Sequence, residues 1–532
     1  MRGLMQHDDL TLTRILERAV TLFPRSQIVT QTPSGRHRES YEEFGERVGR
    51  LASALTELGI GPGDRVGSFA WNTWRHLELY FGIPCMGGVL HTLNIRLHPE
   101  QVAWIANHAE DRVVFVDASL LPVWEQVRPA LKSVEKVVVM GEEGERPDGA
   151  LDYEELLASS SPDFAWPELD ENEACAMCYT SGTTGDPKGV LYSHRSMVLH
   201  AFGTNQASCV GVTARDAVLP VVPMFHANAW GMPWAAAMAG AKHVYAGQFS
   251  ADPETLVDLI EEERVTITEG VPTVWIGLLQ YLEQNPRDIS SIRTITAGGS
   301  AVPKSMIETF EKKYGLKLVQ GWGMTETGPV GTLSHLVPAL DELPDEERFR
   351  TRAKAGRPIP GVRIRIADLT TGEECPWDGK SIGEVQIRGN WVASAYYNAP
   401  GSEDRFQDGW LRTGDVGAID EHGYLNLTDR TKDVIKTGGE WVSSIELENA
   451  LMAHPAVLEA AVIGVSDPKW GERPMACVVV KESASVTADD LREHLAPGFA
   501  KWWLPERIEF VSEIPKTSVG KFDKKVLRAQ FP

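Results

Sequence analysis

Tyr179-Thr180-Ser181-Gly182-Thr183-Thr184-Gly185-Asp186-Pro187-Lys188-Gly189-Val190 packs hydroxyls, three glycines and a lysine into one short run. It follows an apolar stretch, Ala174-Cys175-Ala176-Met177-Cys178, which reads as a buried strand. Glycines let a backbone bend until several N–H groups converge on one anion, threonine hydroxyls add donors, and Lys188 adds a positive charge on a flexible stem. The run predicts a phosphate-gripping loop. It is not a Walker A loop. Counting from Gly182, Pro187 stands where the second glycine belongs and Gly189 where the magnesium-binding hydroxyl belongs. The same template fails at Val519-Gly520-Lys521, where Pro515 occupies the first glycine position.

Working outward, six further segments carry chemistry-bearing residues. Gln320-Gly321-Trp322-Gly323-Met324-Thr325-Glu326-Thr327 follows an expected strand, Leu316–Val319, and so lies at the carboxyl edge of a sheet, where ligands bind. Trp322 offers a flat face for a purine, Thr325 a hydroxyl for phosphate and Glu326 a hard oxygen for Mg²⁺. A glycine-rich turn with a packed tryptophan fits the same residues. Gly298 and Gly299 end another strand and would let backbone approach a ligand closely. Asp415, in Arg412-Thr413-Gly414-Asp415, could accept from ribose hydroxyls or merely cap a turn.

Asp429-Arg430-Thr431-Lys432-Asp433 leads into Val434-Ile435-Lys436-Thr437-Gly438-Gly439-Glu440-Trp441, which by charge pattern alone is a solvated linker. Lys521, in Pro515-Lys516-Thr517-Ser518-Val519-Gly520-Lys521, is by itself an ordinary surface lysine. Val222-Pro223-Met224-Phe225-His226-Ala227-Asn228-Ala229-Trp230-Gly231 sets a histidine and an amide among apolar residues, equally the pattern of a packed core with a satisfied histidine.

In their order, these segments resemble the adenylate-forming superfamily of acyl-CoA synthetases, luciferases and nonribosomal-peptide adenylation domains. Within it they are most similar to bacterial medium- and long-chain fatty-acyl-CoA synthetases. The resemblance runs from about Tyr41 to Lys521. It implies that Thr180, Ser181, Gly182, Thr183, Thr184 and Lys188 grip the phosphates. Thr180 and Glu326 would face the metal, and Gln320, Gly321, Trp322 and Thr325 the nucleotide beside Gly298 and Gly299. Asp415 and Arg430 would meet the ribose, Lys432 would sit in a hinge, and Lys436 would lie near the adenylate. Gly438, Gly439, Glu440 and Trp441 would border the coenzyme A channel.

His226 would lie beside the adenylate carbonyl, with Ala227 in the acyl pocket and Trp230 as its gate. Lys521 would be the catalytic lysine, alongside Glu326 and His226. The implied co-substrates are ATP and coenzyme A with Mg²⁺, and the implied assembly is a homodimer.

The chain of 532 residues is too long for one ordinary core. Alternating helix and strand patterns through Val319 predict an α/β architecture with doubly wound sheets. They include a helix carrying Phe44, Val48, Leu51, Leu55 and Leu58 and ending at Gly59, and strands over Arg65–Trp71, Arg112–Asp117, Val134–Met140, Val218–Val222, Val265–Thr268 and Arg293–Thr296. Helices are expected at Leu256–Glu263 and Met306–Tyr314. After about Gly356 short strands such as Val362–Ala367 and Glu384–Arg388 predict a β-rich subdomain. Ser443-Ser444-Ile445-Glu446 has the form of a capping box opening a small, mobile α+β C-terminal domain. The expected division is residues 1–428 for the N-terminal domain, 429–434 for the hinge and 435–532 for the C-terminal domain.

With 42% hydrophobic and 24% charged residues, the composition is that of a soluble globular protein. A net charge of −22 disfavours nucleic acid and anionic membranes as partners, and requires local cations to draw in ATP and a carboxylate. Cys175-x-x-Cys178 lacks the second pair or histidine of a zinc site, so both cysteines are expected in a strand core. The N-terminus shows no apolar signal-peptide core and no run is long enough to span a bilayer, so a reducing cytoplasm is expected.

The activity implied is an ATP-dependent acid–thiol ligase for a medium- or long-chain fatty acid. The alternative acid is a short one such as 3-(methylthio)propanoate, since Trp230 and Trp234 could shorten the pocket. No aspartate stands here to hold an amino-acid ammonium. A carrier-protein adenylation domain is the rival enzyme reading, disfavoured because 532 − 521 leaves 11 residues beyond Lys521. A catalytically dead nucleotide sensor is the rival outside enzymes.

Overall fold

The computed structural model describes residues 1, 3–141, 146–180, 186–430, 435–437, 440–482, 484–517 and 522–531, with backbone alone at 436, 440 and 441. Two large sheets face each other across a shared layer of helices. The seven-stranded sheet runs parallel through Leu151–Asp152, Lys136–Met140, Val113–Asp117, Arg65–Phe69, Val89–Thr92 and Ala174–Thr180, with Lys188–Ser193 antiparallel at its edge. The nine-stranded sheet has six parallel strands, among them Ala217–Pro220, Ile267–Gly270, Thr294–Ala297 and Leu318–Gly323. Both faces of these strands are covered, so nearly all of their residues are buried, the polar Glu269 and Thr296 among them.

Helices fill the space between the sheets. Phe44 and Leu51 of Tyr41–Glu57, Leu77 and Phe81 of Trp74–Cys85, and Trp234 of Met232–Ala239 share one core cluster with Val66 of one sheet and Ile267 of the other. The Tyr41–Glu57 helix starts where its sequence dictates. Ser40 accepts from the Glu43 N–H, Glu43 returns the bond in a capping box, and Gly59 past the end has φ +82°.

The β-rich subdomain is a five-stranded antiparallel sheet containing Val362–Ala367, Gly383–Gly389, Trp410–Ile419 and Leu425–Arg430. Its last strand runs through Asp429 and Arg430, which pair with Val416 and Asp415. Those two charged residues are therefore strand rather than solvated linker. The C-terminal lobe has its own five-stranded sheet with the helices Ser444–Met452 and Ala488–Leu495 packed on one side.

Several elements differ from expectation at their ends. The Arg65–Trp71 strand stops at Phe69, and the strand expected over Val265–Thr268 runs from Ile267 to Gly270. Most consequential, Gln320 to Gly323 continues the strand begun at Leu318 instead of following it. Gly321 and Trp322 pair there with Leu333 and Thr332 of an added antiparallel strand. At the C-terminal lobe only half of the expected capping box forms. Ser443 Oγ accepts from the Glu446 N–H at 3.2 Å, while the Glu446 side chain turns to Asn426.

Candidate active site

The hairpin that ends the seven-stranded sheet presents the two flanks of the loop expected to bind phosphate. Thr180 and Lys188 are cross-strand partners, and the intervening Ser181, Gly182, Thr183 and Thr184 lie outside the described residues. Three contacts dock this hairpin. Tyr397 N–H donates to the Gly189 carbonyl at 2.8 Å, Tyr192 Oη donates to the Thr325 carbonyl at 2.7 Å, and the Lys188 ammonium lies 5.0 Å from the Tyr396 ring centre. Tyr396 Oη in turn donates to Glu326 Oε1 at 2.6 Å. Lys188, Tyr396 and Glu326 are thus one assembly drawn from three distant segments. Burial and the Glu326 carboxylate raise the Tyr396 pKa, so its hydroxyl stays a donor.

Beside it, Trp322 Nε1 donates to Asp415 Oδ2 at 2.8 Å, and Arg430 Nε stands 3.5 Å from Oδ1. Gly298 sits where a Cβ has no room. A Cβ on Gly298 would stand 2.8 Å from the Gly321 carbonyl and 3.2 Å from the Trp230 ring, and Gly299 has φ +84°. Gln320 behaves differently from its neighbours: its amide oxygen accepts from the Val302 N–H at 3.1 Å, holding the loop after Gly299.

The Val222–Gly231 segment folds in a way no propensity suggests. Ala227, Asn228, Ala229, Trp230 and Gly231 all have positive φ, between 45° and 76°, a left-handed turn built largely from non-glycine residues. Such backbone costs about 1–2 kcal/mol per residue and persists only where surroundings enforce it. Asn72 Nδ2 donates to the Pro220 and Val222 carbonyls while its Oδ1 accepts from the Met224 N–H. Tyr80 Oη donates to the Met224 carbonyl at 2.6 Å and reaches the Asn228 side chain at 3.3 Å. His226 and Ala227 enter this turn, and the partly buried Trp230 ring leaves it toward Gly298.

Lys521, Lys432, Gly438 and Gly439 lie outside the described residues. The backbone of Lys436 pairs with Trp441, and that of Thr437 with Glu440, in a short hairpin of the C-terminal lobe. Tyr396, Tyr192, Asn72 and Tyr80 were not anticipated. A lone tyrosine or asparagine outside any motif carries no local signal of the partner that the fold brings to it.

Among the described residues no group of three or more His, Cys, Asp or Glu side chains could hold a metal ion. Glu326, 4% exposed and already oriented by Tyr396, fits a hard cation that takes most of its oxygens from a bound triphosphate and one or two from protein. Cys175 and Cys178 are buried free thiols in the strand, as expected. Among the described residues no helix is long and apolar enough to cross a membrane.

Residues 16–397 match the model of an AMP-binding enzyme, and residues 446–521 that of the AMP-binding enzyme C-terminal domain. The chain is 48% identical to a long-chain-fatty-acid–CoA ligase of Thermus thermophilus, over 99% of this chain and 96% of that one. It is 44% identical to a 3-methylmercaptopropionyl-CoA ligase of Ruegeria pomeroyi, over 100% and 99%. Among solved structures it superposes on an anthranilate CoA ligase in complex with anthranoyl-AMP with a TM-score of 0.88 at 27% identity, covering 98% of this chain and 97% of that one.

Proposed function

This chain belongs to the AMP-binding enzyme family and is an AMP-forming acid–thiol ligase; on that premise we propose that its acid is a medium- or long-chain fatty acid. The acid is joined to coenzyme A through an acyl-adenylate, with release of AMP and pyrophosphate. The observation that supports this acid best is the wall beyond the left-handed turn. Met224, Ala229, Met232 and Trp234 are buried there in one apolar cluster, with Trp230 packed at its margin. A second reading, a short acid such as 3-(methylthio)propanoate, is supported by the Trp230 ring, which presses onto Gly298 and would shorten the slot. The name of the 44% identical relative points the same way.

In the proposed mechanism Asp415, steadied by Trp322, accepts from the ribose hydroxyls, and Lys188 with the loop before it neutralises phosphate charge. Glu326 and Thr180 would hold Mg²⁺, which when bound supplies further charge neutralisation on the triphosphate. An anionic carboxylate must attack an anionic α-phosphate, so a cation between them lowers the barrier electrostatically. Lys521 is proposed as that cation, delivered by the C-terminal lobe. Rotation of this lobe about Lys432 would then withdraw it and admit the coenzyme A thiol along Gly438 to Trp441. Six free cysteines, five of them buried, accord with a reducing compartment such as the cytoplasm.

The test is a series of linear acids from propanoate to palmitate, with 3-(methylthio)propanoate beside them, read out as coenzyme A-dependent AMP release. The fatty-acid reading expects kcat/KM to rise from propanoate to a maximum at eight carbons or longer. A maximum at three to five carbons, with 3-(methylthio)propanoate among the best, would replace it with the second reading.

A further inference from the structure

The strand Ile267–Gly270 carries a carboxyl group that the mechanism above does not use. Glu269 is 2% exposed and its Oε2 has no hydrogen-bond partner among the described residues. Burial, with no charged neighbour contributing, pushes its pKa well above the ordinary carboxyl value. An unpaired buried polar group of this kind destabilises the fold unless a ligand satisfies it. Its in-register neighbour on the next strand, Thr296, repeats the anomaly: the Thr296 hydroxyl is also buried without a partner among the described residues.

Strand alternation shows which way the two side chains point. On one face of the sheet, Leu219, Ile295 and Leu318 join the outer cluster with the helices Pro253–Glu263 and Lys304–Tyr314. On the opposite face, Val218, Ile267 and Val319 join the cluster that holds Val222, Met224 and Trp234. Glu269 shares the face of Ile267, two residues earlier, and Thr296 is the register partner of Val319. Both therefore look toward the left-handed turn.

The same face continues two residues further to Gly298, against which the Trp230 ring packs. The Thr296 methyl lies 3.9 Å from the position a Cβ on Gly321 would take. The backbone closes the connection, since the Glu269 carbonyl accepts from the N–H groups of Val221 and Val222 at 2.8 and 3.1 Å. Glu269 and Thr296 thus lie one strand repeat, about 7 Å, below the contact of Trp230 with Gly298.

We propose that Glu269 and Thr296 form a polar floor to the acid pocket, and that the acid this ligase prefers carries a hydroxyl group several carbons from its carboxylate. This rests on the ligase reading and on the Val222–Gly231 segment lining the acid site. A neutral carboxyl both donates and accepts, as does a hydroxyl, so the two protein groups can close a complete set of bonds around one substrate hydroxyl. An ammonium would instead require an ionised carboxylate within an apolar cluster, at the larger cost of burying charge. Sites built to bond a hydroxyl discriminate strongly against analogues that lack it, because the buried protein groups are then left unpaired.

The test compares kcat/KM, by AMP release, for hexanoate against 3-, 4- and 6-hydroxyhexanoate and for decanoate against 10-hydroxydecanoate. It uses the full-length enzyme and the variants Glu269→Leu, Glu269→Gln and Thr296→Val. We expect at least one hydroxy acid to exceed its parent by about tenfold or more in the wild type. Glu269→Leu should erase that advantage through the KM of the hydroxy acid. Glu269→Gln, which keeps donor and acceptor, should retain part of it. Should Glu269→Leu fail to fold, Thr296→Val must still reduce the ratio.

Parent acids equal to or better than every hydroxy partner in the wild type would overturn the proposal, as would a ratio unchanged by Glu269→Leu, and either result leaves the ligase reading standing. Absence of AMP release with every acid would overturn both.

Discussion

The indole N–H of Trp322 donates to the Asp415 carboxylate at 2.8 Å, joining the end of a parallel strand to the β-rich subdomain. The bond occupies one lone pair of Oδ2 and fixes the plane of the carboxylate, leaving its other lone pairs for ligand hydroxyls. Arg430, 3.5 Å from Oδ1, keeps a positive charge on the same group. Asp415→Ala should therefore raise the KM for ATP by about 10- to 100-fold, the worth of hydrogen bonds to a charged group. The KM for the acid should change little. Trp322→Phe, which removes the orienting donor but keeps the carboxylate, should have a smaller effect in the same direction. Initial rates of AMP release at saturating acid distinguish the two variants, and an unchanged KM for ATP in Asp415→Ala would remove this residue from the nucleotide site.

The left-handed turn makes a second prediction, about stability. Gly231 ends it at φ +76°, and a Cβ there would stand 2.6 Å from His200 Nδ1. His200 cannot withdraw freely, because it is buried and its Nε2 accepts from the Val330 N–H at 3.3 Å. Gly231→Ala should thus cost about 1–2 kcal/mol for the backbone alone, and more for displacing the ring. The unfolding midpoint in urea should fall accordingly. A midpoint equal to wild type would mean that the turn relaxes without penalty.

What was legible in the sequence, and what was not, divides along physical lines. The strand that leads into the expected phosphate loop, the helix that ends before Gly59 and the alternation of the large sheets are local patterns, and each appears where its residues demand. Trp322 and Asp415 were each singled out, but nothing in either segment could say that one bonds the other. Tyr396 was missed because its importance comes from Glu326 and Lys188, which only the assembled fold brings to it. Glu269 was missed for a different reason: the strand expected over Val265–Thr268 ends just before it. Register with Thr294–Ala297 carries the pairing on through Gly270. The left-handed run at Ala227–Trp230 is illegible in principle, since propensity argues against it and tertiary bonds from Asn72 and Tyr80 impose it.

A third prediction concerns Glu39, which lies 3.8 Å from Arg47 in a buried network with Glu78 and Glu154. Burial outweighs Arg47 and raises the Glu39 pKa from 4.5 to about 8. Between those values the unfolded chain has released the proton while the folded protein still holds it, so stability falls as pH rises through this window. Below pH 4.5 both states are protonated and the penalty vanishes; above about 8 it is complete and constant. Glu39→Gln, which cannot ionise, should be matched with wild type near pH 4.5 and increasingly more stable up to about pH 8. Thermal midpoints across that range test it. A constant difference between the two proteins would show that Glu39 titrates normally.

The last prediction separates the two half-reactions. The C-terminal lobe is tied to the final strand of the β-rich subdomain by a polar chain: the Asp429 carboxylate meets the Ser444 hydroxyl, which meets Lys524, whose ammonium lies 2.8 Å from Glu448. These groups are polar, so each can exchange its partner for water when the lobe turns, as a rotating lobe requires. Within the lobe, Lys516 and Phe522 pair across the segment that bears Lys521. If this lysine supplies positive charge to the attack of carboxylate on the α-phosphate, Lys521→Ala should slow acid-dependent pyrophosphate release by about 10²-fold or more. The thiol needs no such cation to open a mixed anhydride already formed. Thioester production from supplied acyl-adenylate and coenzyme A should therefore stay within a few-fold of wild type. Equal loss in both assays would mean that Lys521 does not act in adenylation alone, and the rotation mechanism would have to be abandoned.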